Sequence, residues 1–407
     1  MYHASPWVYV VHAMDIGIGK KIVTGIDIGT SHIKVVIAEY SQKNPSAIPH
    51  ILGTGAALSK GLRHGYIINK SDTGRSIRAA LHQAEKAAGV KVKKAYLAVG
   101  GVGLDEVRSS GESITSRADQ EVTSLDIAHA IEDAEERVAT KIQNRKILHV
   151  IPLRYRLDGA PVLGRPLGMK GNKLEAEVLF ITSLEQHLED LISTIEDSGI
   201  SVVDAMASPL AASFVTLTKS QKVAGVMLAN IGAETVSVAV FENNIPISLK
   251  VFPIGSTDIT NDIALGLKVS LEEAEHLKRG TLSNSEHPQK KLDQIISARL
   301  SDIFDLIDAH LSKIGRNGLL PAGIILTGGG SGITTVEDMA RATLKLPSKI
   351  GHIIAQNGNG AKFKDSSWAV SYGLTIWGMS ADEDSFGVEV AKKTGSTLMS
   401  WIKRFLP

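Results

Sequence analysis

Asp27-Ile28-Gly29-Thr30-Ser31-His32 is a short polar turn between two apolar runs, Gly25–Ile28 and Ile33–Ile37. These residue types can hold a phosphate. Glycine lets the backbone come close, and successive amides with the Thr30 and Ser31 hydroxyls form an anion cradle. Asp27, at a strand end, is the carboxylate for a magnesium ion, which takes one or two acids plus phosphate oxygens. The same residues also suit an ordinary hairpin turn, and this stretch alone does not choose between the two.

About two hundred residues later, Asn230-Ile231-Gly232-Ala233-Glu234-Thr235 repeats the pattern in register. Asp27 falls on Asn230, Gly29 on Gly232 and Val35 on Val238. Two such turns facing across a cleft can clamp a polyphosphate. A third feature is the apolar run Ile324–Leu326 and Thr327 ending in Gly328-Gly329-Gly330-Ser331. Bare backbone there suits a flat base and a ribose, although a flexible turn is the plainer reading. Glu275 and Lys278 share a helix face at i,i+3 and can grip a ribose, or form a plain surface ion pair.

These residues need a scaffold. Each hairpin precedes further strand signal and then a helix, which predicts a duplicated α/β fold. Helical spacing with a glycine stop marks 76–88 and 184–198. Residues 91–173 read as an insertion with a strand at 95–99, a helix near 125–139 and a Pro/Gly-rich end. The first unit is then 22–90 with 174–205, and the second is 206–255 with 322–381. Residues 256–321 read as a small helical unit, 382–396 as a linker and 1–21 as a lead-in without assigned function. Met14 is an alternative start.

Composition sets bounds. The 407 residues carry 44 Lys and Arg against 43 Asp and Glu, so the global basic signature of a nucleic-acid coat protein is missing. No cysteine is present, which excludes disulfides, thiolate catalysis and cysteine metal sites. No apolar run approaches the roughly 18–20 residues of a membrane span, and no signal peptide is expected.

The last residues, 397–407, make an amphipathic helix when set at 100° per residue. Leu398, Met399, Trp401, Ile402, Phe405 and Leu406 form one arc, with Ser400, Lys403 and Arg404 opposite. This reads as an interfacial membrane anchor, with docking on the protein's own core as the alternative. Six apolar side chains gain several kcal/mol on insertion. Ordering the segment costs a comparable amount. Each cation adds about 1 kcal/mol near anionic lipid. One copy binds marginally, whereas several on a polymer gain about 10²–10⁴ in avidity.

The order of turn, second turn, acid–lysine helix and triple glycine resembles the actin, sugar-kinase and heat-shock-chaperone ATPase superfamily. Within it, the chain resembles the FtsA family of bacterial cell-division proteins from about Ile22 to Met379 and again at its end. The resemblance is carried by Ile147–Pro152, Tyr155, Asp158-Gly159, Pro166–Gly171, Leu174-Glu175, Ser208–Ser213 and Asp258–Ala264. It implies an α/β, duplicated actin-like (ribonuclease-H-like) two-domain fold with an inserted α+β subdomain and a C-terminal amphipathic helix. It implies ATP and Mg²⁺ as cofactors, held by Asp27, Gly29 through His32, Asn230, Gly232 through Thr235, Glu275, Lys278 and Gly328 through Ser331. It also implies filaments, attachment to cytoplasmic membrane lipids at the division site, later division proteins as partners and no nucleic acid. The FtsZ tail would dock on 256–321, where Lys291 and Arg299 supply positive charge, although both also suit a solvated face.

The chain departs from that family at the second turn. Asn230 stands where the family usually has Asp, and Gly232-Ala233-Glu234-Thr235 stands where a turn of two or three glycines and a threonine is usual. Loss of a carboxylate there implies slow or absent ATP hydrolysis. Two other readings stay open: a pilus-assembly adaptor, which generally lacks the terminal helix, and a small-molecule kinase. The kinase needs a second acid as base, and the sequence offers no candidate beyond Asp27.

Overall fold

The computed structural model describes residues 20–41, 49–281, 288–353 and 365–385, with side chains to 379. Residues 397–407, expected to form a membrane anchor, and residues 1–19 of the lead-in lie outside the described residues. Two five-stranded sheets carry the molecule. The first runs His50–Leu58, His32–Ser41, Lys20–Ile28, Lys94–Val99, Ser201–Ala207. The second runs Ile245–Phe252, Val236–Glu242, Val226–Ile231, Ile324–Thr327, Ser348–Ile350. In both, an antiparallel three-strand meander is extended by two parallel strands.

The sequence repeat survives in the pairing. Gly25 faces Val36 and Asp27 faces Lys34 in the first hairpin. Their counterparts, Leu228 with Ala239 and Asn230 with Ser237, face one another in the second. Strand register is fixed by which side chains must point inward, so a conserved offset preserves both cores at once.

The insertion is an antiparallel sheet ordered Leu104–Ile114, Lys173–Leu184, Arg145–Leu157, Ala160–Val162, covered by the helix Ser124–Val138. Thr123 and Asp126 cap that helix reciprocally. Burial alone would raise the Asp126 carboxyl, but hydrogen bonds from Thr123 and Ser116 hold it at about 2. The insertion edges therefore differ from the expected 91 and 173. Ala95–Val99 is a wholly buried run because it is a parallel strand covered on both faces. The Pro/Gly-rich stretch is not a boundary: it leads into Lys173–Leu184, an inner strand of the inserted sheet. Helix Lys70–Ala88 also starts before the predicted Ser76, since the Asn69 side chain accepts the Asp72 amide as an N-cap.

Two helices join the halves. Ser208–Thr216 follows the last strand of the first sheet and packs on Val226–Ile231 and Val236–Glu242 of the second as well as on Lys94–Val99 and Ser201–Ala207 of the first. Ala369–Ser385 follows the second sheet yet packs on Lys20–Ile28 and His32–Ser41 of the first. The assignment of 369–381 to the second unit and the linker start at 382 are corrected accordingly: the backbone stays helical to Ser385. The two helices meet at Gly373, where an added Cβ would lie 1.8 Å from the Ala211 carbonyl oxygen.

Helices Ser256–Leu267, Leu271–Lys278 and Gln289–Lys313 form the small helical unit. Leu292, Ile296, Leu300, Ile303, Ile307 and Leu311 are buried, so the stripe along the long helix faces the core. Ile295 is half-buried and Leu306 is exposed at its margin.

Candidate functional site

The two hairpin turns are built alike. A Cβ on Gly29 would sit 2.9 Å from the His32 carbonyl oxygen, and one on Gly232 would sit 2.8 Å from that of Thr235. Each glycine is therefore required by the tightness of its turn. Each turn is then tied to the chain that follows its third strand. Ser59 donates its amide to Ser31 O at 2.9 Å and its hydroxyl to Gly29 O at 2.5 Å. Ser256 and Thr257 donate their amides to Gly232 O at 2.9 Å and Ala233 O at 2.8 Å. Gly255 must be glycine, since a Cβ would lie 2.3 Å from Ala233 O.

In the first turn Thr30 is half-buried and Ser31 exposed, and the Ser31 hydroxyl lies 2.9 Å from His32 Nδ1. Burial, with the charges of Lys34 and Arg279, lowers the His32 pKa and keeps the ring neutral. Desolvation pushes the Asp27 carboxyl up to about 6, against the pull of Lys34 opposite it. Lys34 donates to Ser367 O at 2.6 Å and lies 5.5 Å from the centre of the Trp368 ring. Its own pKa is lowered by burial and partly restored by Asp27 and Asp365.

That bridge continues to the glycine turn. Ser366 and Ser331 hydroxyls are 3.1 Å apart, and Ser331 donates to Gly328 O at 2.7 Å. Ser331 is thus buried and committed to the fold, although the sequence placed it among the binding residues. Gly328 (φ 86°) presses on Asn230 Oδ1, 2.3 Å from where a Cβ would be, and Gly330 on Ile231. An added Cβ on Gly329 would meet open space, as bare backbone against a ring requires.

Glu275 and Lys278 are paired, Nζ to Oε2 at 2.6 Å. Lys278 also donates to Ser256 O at 3.0 Å and Thr260 Oγ1 at 2.8 Å, and is nearly buried. Arg279 takes the other Glu275 oxygen at 2.7 Å. Burial alone would raise the Glu275 carboxyl, but Lys278 and Thr260 hold it at about 2. Burial lowers the Lys278 pKa, offset in part by Glu275. The pair therefore fastens two helices beside the cleft, and any ribose contact must come from its outer edge.

One contact was not legible beforehand. The Glu234 carboxylate accepts the backbone amide of His64, and His64 Nδ1 lies 3.1 Å from Glu234 O. His64 belongs to the other half, between Gly61 (φ 75°) and Gly65 (φ 92°), with φ 48° itself. The pattern Gly-Leu-Arg-His-Gly signals a tight loop but gives no sign of what it touches. The cleft is thus bridged by Glu234–His64 and by Lys34–Ser367 with Ser366–Ser331.

Among the described residues, no group of three or more acids and histidines can hold a metal unaided. A magnesium ion at Asp27 would need phosphate oxygens as its further ligands, which fits a metal–nucleotide complex. Arg299 is not a free cation: Asp262 takes it in a bidentate pair at 2.7 and 3.0 Å, and Asp302 lies at 3.3 Å. Lys291 is exposed.

Comparison with known proteins decides the family. A sequence model described as "Cell division protein FtsA" matches residues 227–373, and one described as "SHS2 domain inserted in FTSA" matches 105–182. The curated protein "Cell division protein FtsA" of Bacillus subtilis is 31% identical over 347 residues, covering 80% of this chain and 77% of its own length. The chain belongs to the FtsA family. Its match at 105–182 agrees with the sheet-defined insertion rather than with 91–173. Among solved structures, a chain of the "PilM-PilN type IV pilus biogenesis complex" aligns with TM-score 0.68 at 17% identity, covering 88% of this chain and 98% of its own. MreB5 of Spiroplasma citri, solved bound to ADP, aligns with TM-score 0.52 at 13% identity, covering 90% and 99%. These two likenesses establish the actin-like fold with its inserted antiparallel sheet. Among the described residues, no helix is long and apolar enough to cross a membrane.

Proposed function

We propose that this chain is an adenine-nucleotide-binding, filament-forming tether of bacterial cell division. It would link the FtsZ ring to the inner face of the cytoplasmic membrane and recruit later division proteins. Family membership supports the division role. The observation that carries the nucleotide reading is the paired turns, with Asp27, Thr30 and Ser31 on one side and bare Gly329 on the other. That MreB5 was solved with ADP on the same fold adds support.

Asp27 would hold Mg²⁺ together with phosphate oxygens, and the Gly29–Ser31 amides and hydroxyls would take phosphate. The bound metal would neutralise phosphate charge. Asn230 supplies no second carboxylate, so turnover should be slow, well under about 1 s⁻¹. Phosphate release with and without magnesium tests this, and faster turnover overturns it.

Residues 397–407 would anchor the chain through Leu398, Met399, Trp401, Ile402, Phe405 and Leu406, with Lys403 and Arg404 toward headgroups. Trp401→Glu should abolish co-sedimentation with anionic liposomes while leaving thermal unfolding unchanged. Undiminished sedimentation would refute the anchor. The acidic FtsZ tail would be steered by Lys291, since Arg299 is already paired with Asp262. Lys291→Glu should weaken tail-peptide binding more than Arg299→Gln, and equal losses would reverse that assignment.

A further inference from the structure

We propose that Glu234 is a built-in anion that occupies the terminal-phosphate position at the second turn and so makes the site prefer a nucleoside diphosphate to a triphosphate. This rests on the nucleotide reading above and assigns specificity within it.

Three observations carry it. First, the duplicated register puts Glu234 at the place of Ser31, an exposed hydroxyl in the first turn. The second turn therefore presents a carboxylate where its twin presents a neutral phosphate ligand. Second, that carboxylate is already engaged as an anion. It accepts the His64 amide from across the cleft. That amide belongs to His64, which with Gly65 forms a pair of positive-φ residues in a tight loop. The His64 loop is itself held in place. A Cβ on Gly65 would be 2.4 Å from Gly101 Cα, and Val102 donates its amide to His64 O at 3.1 Å. Third, the turn that carries Glu234 is held on its other side by Ser256 and Thr257 amides and by close packing of Gly255. Neither end of the contact can drift away. A phosphate arriving at the second turn meets a fixed carboxylate and competes with it for one amide.

On the proposed reading the base lies against the bare Gly329 backbone, and the third phosphate is then the one that would reach between the two turns. A diphosphate leaves the Glu234–His64 contact in place. A triphosphate must break it and then sit beside the displaced carboxylate, and like charges oppose this.

Isothermal titration of the full chain with MgADP and MgATP tests the proposal, using wild type, Glu234→Gln, Glu234→Ser and Asp27→Ala. Glu234→Gln keeps the shape and removes the charge. Glu234→Ser copies the first turn. Wild type should bind MgADP more tightly than MgATP. Both Glu234 variants should tighten MgATP by about ten-fold or more, with MgADP changed less than about three-fold. Parallel gains for both nucleotides, no gain for either, or a wild type that favours MgATP would overturn the proposal. Asp27→Ala reports separately on the underlying site: MgADP binding of undiminished strength in it would put the nucleotide outside the paired turns and remove the reading of this site. If neither nucleotide binds wild type or Glu234→Gln, both fall. Circular dichroism melts confirm that each variant is folded, and Glu234→Gln alone suffices should Glu234→Ser unfold.

Discussion

The two hairpin turns descend from one pattern and have diverged in chemistry while keeping their geometry. Each has a glycine jammed against the carbonyl that closes the turn, and each is stapled by a serine from beyond the third strand. The first offers Asp27, Thr30, Ser31 and a neutral His32. The second offers Asn230, Ala233, Glu234 and Thr235. Backbone geometry can thus be inherited intact while ligand capacity moves to one side. In the proposed reading the first turn takes phosphate and metal, while the second latches onto the opposite half.

Breaking the comparison is most direct at its strongest point. Asp27→Ala should weaken Mg-nucleotide binding by at least about 100-fold, and Asn230→Ala by about ten-fold or less, as read by titration. Equal losses would mean that the two turns still share the metal. Next comes the staple. Gly255→Ala should destabilise the fold by about 1–3 kcal/mol in urea unfolding, because its Cβ lands 2.3 Å from Ala233 O. Gly329→Ala, which meets open space, should cost under about 0.5 kcal/mol yet hinder base binding.

The acid at the first turn gives a pH signature. Asp27 is raised to about 6 in the folded chain. The empty site therefore loses stability as pH rises from the ordinary carboxylate range through about 6, while the charged form that holds magnesium accumulates. Mg-dependent nucleotide affinity should fall by up to about ten-fold per pH unit below 6, and Asp27→Asn should flatten that slope. A small effect is expected at Glu275, whose carboxyl is held at about 2. Its contribution is present above the ordinary glutamate range and lost as pH falls toward 2. Glu275→Gln should cost no more than about 1 kcal/mol at pH 7, since the side chain is 34% exposed and screened. The cost should vanish in acid.

The duplication was readable because a hairpin writes itself twice into a sequence, once as alternation and once as a glycine turn. That made Asp27, Gly29, Gly232 and the triple glycine visible, together with the α/β class. The insertion edges were not, because a buried parallel strand such as Ala95–Val99 and a domain opening look alike in one dimension. The crossing of the last helix to the first sheet was also hidden. Nothing in residues 369–379 says which sheet covers them, since a stretch buried nearly all round has no polar face to betray its neighbour. The contacts of Ser331 with Ser366 and of Arg299 with Asp262 were likewise invisible. Each of these is a partner chosen across a distance that local pattern does not encode.

At Gly373 and Ala211 two helices touch main chain to main chain. Any larger residue at 373 would drive its Cβ into the Ala211 carbonyl and push Ala369–Ser385 away from Ser208–Thr216. The closeness of this seam thus depends on a single missing methyl group.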